Sequence, residues 1–263
     1  MTMDALPDTI RIIAIPAFTD NYIWCMHNDS HAIVVDPGDA EPVLTFLRKQ
    51  GLSLAAVLIT HHHHDHTGGI TRLVSANPSV PVIGPRGNHI RGITKSVAQG
   101  DTLRLPIFDM AFSIIETPGH TLDHIAFYGH GLVFCGDTLF SCGCGRLFEG
   151  SPEQMAHSLN KLKRLPDDTL VYCTHEYTQA NVTFSLAVDP ENADLNNYAD
   201  WVSAQREADK ITLPSTIAKE KAVNPFLRCH TDNVQAAVAQ YTGDSPADDT
   251  ATFAGLRRWK DEF

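Results

Sequence analysis

No stretch of this 263-residue chain approaches the ~18 consecutive apolar residues that a bilayer-spanning helix needs. That absence argues against a membrane protein. The start, Met1-Thr2-Met3-Asp4-Ala5-Leu6-Pro7-Asp8, holds neither a basic region nor an apolar core, which argues against a secretory leader. The six cysteines (Cys25, Cys135, Cys142, Cys144, Cys173 and Cys229) are too scattered for a disulfide framework. Several sit inside apolar runs, where Cys behaves as a small buried hydrophobe. Reduced thiols and a cytoplasmic setting are therefore expected. Positive charge is also short: 20 Lys and Arg face 31 Asp and Glu, a formal net charge of −11. Nucleic acid is bound largely through Lys and Arg on phosphates, so neither nucleic acid nor membrane is expected as a partner. An anionic substrate would need a small, placed basic group rather than the overall field.

With 43% hydrophobic residues, the chain has material for one large domain or an ordinary one plus a smaller one. Strand-like and helix-like segments alternate over the first two-thirds. The strand-like runs are 10–15, 22–26, 32–35, 55–59, 80–84, 102–105, 112–117, 125–128, 132–135 and 170–173. Helical spacing appears at 41–50, stopped by Gly51, and at 68–76. Ser151-Pro152-Glu153-Gln154 has the makings of a helix start ahead of 155–165. Beyond Tyr177 helical patterns dominate, at 179–188, 194–209, 233–241 and 249–260. The spacing thus predicts an α/β (α+β) body over residues 1–178 and a helical part over 179–263.

The strongest local signal is Thr60-His61-His62-His63-His64-Asp65-His66, directly after Ala55–Ile59. Three more candidate ligands also follow strand-like runs: His120 after Pro118-Gly119, Asp137 after Gly136, and His175 after Thr174. Ends of neighbouring strands meet along one sheet edge, so such loops converge. His61 and His63, two apart on an extended loop, project alike, while Asp65 and His66 turn toward a second position. These seven side chains exceed the three protein ligands typical of a mononuclear catalytic zinc, and a two-metal site is expected. Carboxylates bridge cations and imidazoles do not, so Asp137 is the natural shared ligand. His62 and His64 alternate with the ligands and point away. Asp36 is open between a plain turn residue and an acceptor that orients a ligand histidine. Gly68-Gly69 carries no catalytic assignment, Cys142-Gly143-Cys144 lacks zinc-knuckle spacing, and His157 and His230 read as surface residues.

The run Thr-His-His-His-His-Asp-His resembles the signature of the metallo-β-lactamase superfamily. Several further segments make the chain similar to the glyoxalase II (hydroxyacylglutathione hydrolase) family within it. They are Asp20–Trp24, Val35–Asp39, Thr117–Thr121, Gly136–Phe140, Gly143–Gly150, Thr174–Thr178, Asn224–Arg228 and the tail Arg257–Phe263. The resemblance implies an αββα sandwich, metallo-β-lactamase-like, with a C-terminal helical domain that binds substrate. It implies a first metal on His61, His63 and His120, a second on Asp65, His66 and His175, and Asp137 bridging. Zinc is the ion these ligands suit first, and iron and manganese suit them too. The glutathione moiety falls to Arg146, Tyr177, Arg257 and Lys260. The implied reaction is hydrolysis of S-(2-hydroxyacyl)glutathione, such as S-D-lactoylglutathione, to glutathione and D-lactate, the second step of methylglyoxal detoxification. Asp65 and Asp137 are the expected catalytic carboxylates, and no protein partner is implied beyond a monomer. Two departures stand out. The family's His-Thr-x-Gly-His segment reads His120-Thr121-Leu122-Asp123-His124, and Phe148 stands where some relatives carry a tyrosine.

Arg257 and Lys260 are three apart and share a helix face, which suits a carboxylate-bearing substrate despite the acidic whole. The competing enzyme reading is a glutathione persulfide dioxygenase of the same fold with one iron. A metal-buffering module built on the histidine run is the non-enzyme alternative, and it leaves the ligands in three distant loops unexplained.

Overall fold

Strand β1 (Arg11–Ala17) pairs antiparallel with β2 (Asn21–His27), and β2 with β3 (His31–Val35). The direction then changes: β3, β4 (Ser53–Leu58), β5 (Val82–Pro85) and β6 (Lys95–Val97) run parallel, completing one six-stranded sheet. Parallel neighbours need crossovers. Helix α1 (Ala40–Gln50) joins β3 to β4, and α2 (His64–Thr67) with α3 (Ile70–Ala76) joins β4 to β5. These coordinates are a computed structural model that describes residues 6–87 and 89–263; the start on which the leader expectation rests lies mostly outside them.

Helix α1 begins and ends where its sequence says it must. The Asp39 side chain accepts from Glu41 N, and Gly51 closes the helix in the left-handed region at φ 68°. Val43 and Leu47 of α1 and Ile70 and Leu73 of α3 pack onto Ile23, Cys25, Val34, Val57 and Val82 of the sheet. The alternate positions Trp24, Met26, Ile33, Ala56, Leu58 and Ile83 are buried as well, so this sheet is covered on both faces. Strands β7 (Thr102–Leu105), β8 (Met110–Glu116), β9 (Ile125–Gly129) and β10 (Leu132–Gly136) follow as an antiparallel run in a second sheet. Ile33, Ala56 and Ile83 of the first sheet line one groove with Leu103 and Leu105 of β7. The two sheets thus face each other with α1 and α3 on the outer face of the first, in keeping with the αββα sandwich that the resemblance implies.

The chain divides into two units. One is the part up to Glu116 with Asp123–Gly136, just described; the other is Thr117–Leu122 with Asp137–Phe263. The second contains the hairpin β11 (Leu139–Phe140) and β12 (Gly143–Cys144), and the pair β13 (Leu170–Cys173) and β14 (Ser215–Thr216). Its helices are α4 (Pro152–Lys163), α5 (Thr178–Val188), α6 (Ala193–Glu207), α7 (Ile217–Val223), α8 (Asp232–Thr242) and α9 (Asp249–Glu262). Ser151 and Gln154 close the full capping box at the start of α4, as the sequence predicts. Val182, Leu195, Tyr198, Val202 and Val223 form a core among α5, α6 and α7. Among the described residues no helix is long and apolar enough to cross a membrane.

The helix expected over 68–76 is present but starts two residues later, as α3. Gly69 N is held by Pro37 O at 2.9 Å, and the backbone of Gly38 lies against Gly68. The chain breaks there into α2, which starts inside the histidine run, and α3.

Candidate metal ligands and their supports

Strands β3 and β4 are parallel neighbours, so their carboxyl ends deliver Asp36 and Thr60-His61 side by side. Asp36 sits in the left-handed region at φ 52°, a conformation aspartate tolerates better than most residues. Its carboxylate accepts from Thr60 N at 2.8 Å and Thr60 Oγ1 at 2.7 Å. The Thr60 hydroxyl oxygen lies 3.0 Å from Nδ1 of His61, and Nδ1 of His66 stands 3.1 Å from Asp36 Oδ2. Of the two readings of Asp36, the acceptor is the one observed. Partners on Nδ1 favour a proton there and leave Nε2 as the acceptor nitrogen, the one that could bind a metal.

The remaining histidine-run residues gather around this base. The rings of His61 and His63 are 4.8 Å apart, and those of His61 and His66 are 4.1 Å apart. Nε2 of His66 lies 3.4 Å from Asp65 Oδ2, and that oxygen accepts from Asn21 Nδ2 at 3.0 Å. Gly38 permits the approach: a Cβ there would collide with the Asp65 carbonyl. His62 turns to Asp123, Nδ1 to Oδ1 at 2.9 Å, and His64 is exposed. Both point away from the ligand positions, as alternation predicts.

The second unit brings His120, Asp137 and His175 together. Helix α4 supports the first of them, since Ser158 Oγ donates to Pro118 O at 2.7 Å. Nδ1 of His120 donates to the carbonyl of Arg146 at 2.8 Å, which leaves Nε2 as the acceptor nitrogen. One oxygen of Asp137, Oδ2, is 3.4 Å from His120 Nε2 and 3.3 Å from His175 Nε2.

These spacings test the fit to a metal. A charge-assisted N–H···O bond closes to about 2.7–2.9 Å. Two ligands bonded at about 2.0–2.1 Å to one tetrahedral ion stand about 3.4 Å apart. The Asp65–His66, Asp137–His120 and Asp137–His175 separations all match the second figure. Imidazole nitrogen and carboxylate oxygen are also the right donors for a borderline divalent ion. The residues present fit divalent metal.

Thiol chemistry does not compete. All six cysteines are buried and none is in a disulfide, and burial pushes the thiols of Cys25 and Cys229 up to about 12. A thiol that stays protonated is a poor nucleophile.

The residues expected to touch substrate also lie in the second unit. Tyr177 stacks on His175 at 4.7 Å and 3°, with 38% of its surface exposed. The Arg146 side chain is 65% exposed, and its Nε lies 3.6 Å from Asp261 Oδ1. Arg257 is buried: it donates to Cys144 O at 2.9 Å and to Asp261 Oδ1 at 2.8 Å, while its Nε has no hydrogen-bond partner among the described residues. Lys260 donates to Ala180 O at 3.1 Å, and burial, with Arg257 nearby, pushes its pKa down to about 8.

Comparison with known proteins agrees with this geometry. Residues 18–175 match the model of the metallo-beta-lactamase superfamily, and residues 176–263 match that of the hydroxyacylglutathione hydrolase C-terminus. The chain is 50% identical over 254 residues to a hydroxyacylglutathione hydrolase of Nitrosomonas europaea, covering 97% of each chain. This chain belongs to the hydroxyacylglutathione hydrolase family. A hydroxyacylglutathione hydrolase of Photobacterium profundum is 52% identical, with 97% of this chain and all of that one covered. Among solved structures, ETHE1 from Myxococcus xanthus aligns with a TM-score of 0.62 at 24% identity, over 95% of this chain and 98% of that one. The BLEG-1 B3 metallo-beta-lactamase also gives 0.62 at 24%, over 82% and 99%. Likeness at that identity shows the metallo-β-lactamase fold and nothing finer.

Within this family member, three supporting residues escape a sequence reading: Asn21 on Asp65, Thr60 linking His61 to Asp36, and His124, fully buried against His61. An asparagine directly ahead of the apolar run 22–26 is the signal the sequence offers for Asn21.

Proposed function

We propose that this chain hydrolyses S-(2-hydroxyacyl)glutathione thioesters, S-D-lactoylglutathione among them, to glutathione and a 2-hydroxy acid. The observation that carries the reading is Asp137 Oδ2, placed at ligand spacing from both His120 Nε2 and His175 Nε2. We assign His61, His63 and His120 to one ion, Asp65, His66 and His175 to the other, and Asp137 to both. Zinc is proposed for each, with iron or manganese able to replace it. Two such ions supply Lewis acidity that lowers the pKa of water and polarises a carbonyl.

The chain's own residues do the rest. Asp36, Thr60 and the Arg146 carbonyl fix ligand rings through their Nδ1 atoms, so no reorganisation is needed during the reaction. Asn21 holds Oδ2 of Asp65, orienting that carboxylate. Arg146, Tyr177, Arg257 and Lys260 are proposed to hold the glutathione moiety. Arg146 and Tyr177 offer exposed surface, and Arg257 offers a buried Nε donor with nothing yet to bond. In this reading residues 1–178 carry catalysis and, through Arg146 and Tyr177, part of recognition, while 179–263 form a helical substrate-binding domain, in a cytoplasmic monomer.

Loss of thioester absorbance with S-D-lactoylglutathione is expected, abolished by complete chelation and restored by zinc. Hydrolysis that survives verified metal removal overturns the proposal. Oxygen uptake with glutathione persulfide, with no thioester hydrolysis, would install the mono-iron dioxygenase instead.

A further inference from the structure

Three consecutive residues, Asp123, His124 and Ile125, run beside Thr60, His61 and His62 and engage all three. Ile125 N donates to Thr60 O at 2.9 Å. The His124 ring, fully buried, stacks on His61 at 4.7 Å and 18°. Asp123 Oδ1 accepts from His62 Nδ1 at 2.9 Å, with side-chain exposures of 9% and 23%. Partial burial makes such a bond count for more than it would in water.

The two side-chain contacts reach two different ligands. His61 is held directly, its plane by His124 and its Nδ1 by Thr60. His63 is reached through His62, whose ring meets it edge-on at 5.1 Å and 76°. On its other side His63 meets His61 at 4.8 Å and 75°. Pinning His62 therefore fixes one wall of the slot in which the His63 imidazole sits.

We propose that Asp123, acting through His62, and His124, acting on His61, are positioning residues that preset one pair of ligand histidines. The inference rests on the ligand assignment above, which gives His61 and His63 to the same ion. The effect of Asp123 and His124 is on affinity for one ion and not the other.

The test is stepwise zinc affinity of the purified full chain, measured by competition with a chromophoric chelator and not by activity. Asp123→Gly is expected to weaken one of two dissociation constants by about tenfold, the low end of what direct outer partners of ligand histidines cost because His62 stands between, and to leave the second within threefold. Asp123→Asn, whose amide oxygen still accepts from Nδ1–H, is expected to stay within about threefold of the parent in both constants. Thermal unfolding of the metal-free forms checks that both variants fold. Two unchanged constants in Asp123→Gly overturn the proposal, as does equal weakening in Asp123→Asn. A parent chain that binds fewer than two ions instead overturns the ligand assignment, a result the variants cannot mimic.

Discussion

The Arg146 carbonyl accepts the Nδ1 proton of His120 at 2.8 Å. One residue therefore meets a proposed metal ligand with its backbone and solvent with its side chain. Gly145 makes this possible: a Cβ there would run into the Asp137 carbonyl and press on His120 Nδ1. Arg146→Ala is expected to keep its metal and raise KM roughly tenfold or more, the loss of a charged hydrogen bond. Gly145→Ala is expected to lose metal. Atomic absorption beside steady-state kinetics separates the two; metal loss in Arg146→Ala would contradict this split.

Asp137 presents one oxygen at 3.3–3.4 Å from two histidines. Asp137→Asn keeps the shape and removes the charge. It is expected to lower kcat by more than about a hundredfold, beyond what outer partners of a ligand cost, and to reduce bound metal below two per chain. Full metal occupancy with unchanged kcat would refute the bridging role.

Lys260 has its pKa pushed down to about 8, first by burial and then by Arg257. Lowering a lysine pKa means the charged form is present below that value and lost above it. KM for the anionic thioester is therefore expected to rise between pH 7.5 and 9 by up to about tenfold per unit. Lys260→Arg, charged throughout, is expected to flatten that rise. Parallel KM profiles for the two would exclude Lys260 from binding.

Glu220 is buried, accepting from Cys142 N and Asn224 Nδ2, both at 2.9 Å, and paired with the Ser215 hydroxyl. Asn224 also donates to Phe140 O and Gly143 O, so this carboxyl anchors the β11–β12 hairpin just beyond Asp137. Burial raises the Glu220 pKa. A raised carboxyl contributes stability that is present below its unfolded value of about 4.3 and lost as pH climbs through the folded one. Glu220→Gln should remove that loss, so its melting temperature should fall less than the parent's as pH rises from 4.5. Glu220→Ala strands buried donors at about 1–3 kcal/mol each and should melt lower at every pH. Identical pH slopes for the parent and Glu220→Gln would show that Glu220 does not titrate there.

Much of the architecture was legible because periodicity and punctuation agreed. Gly51 stops α1, Ser151-Pro152 starts α4, and the ligands follow apolar runs where strands do end. Short elements escaped. Helix α7 and strands β6, β11, β12 and β14 are two to seven residues long, set by tertiary hydrogen bonds such as Glu220 to Cys142 rather than by local pattern. The break between α2 and α3 was invisible for the same reason, since it depends on Pro37, distant in sequence. Of the candidate site, the ligand types were readable from chemistry and spacing. Of their supports, Asp36 was readable as an acceptor at a strand end, whereas Asn21, His124 and the link from Thr60 to Asp36 were not, because they act across folded distances that no single stretch encodes.

All six cysteines are interior and none is in a disulfide. In the reaction proposed here every turnover liberates a small thiol, a partner for exchange with any accessible sulfur. With its own sulfurs sealed away, the catalyst offers that product nothing to form a mixed disulfide with, even when the surrounding pool turns oxidising.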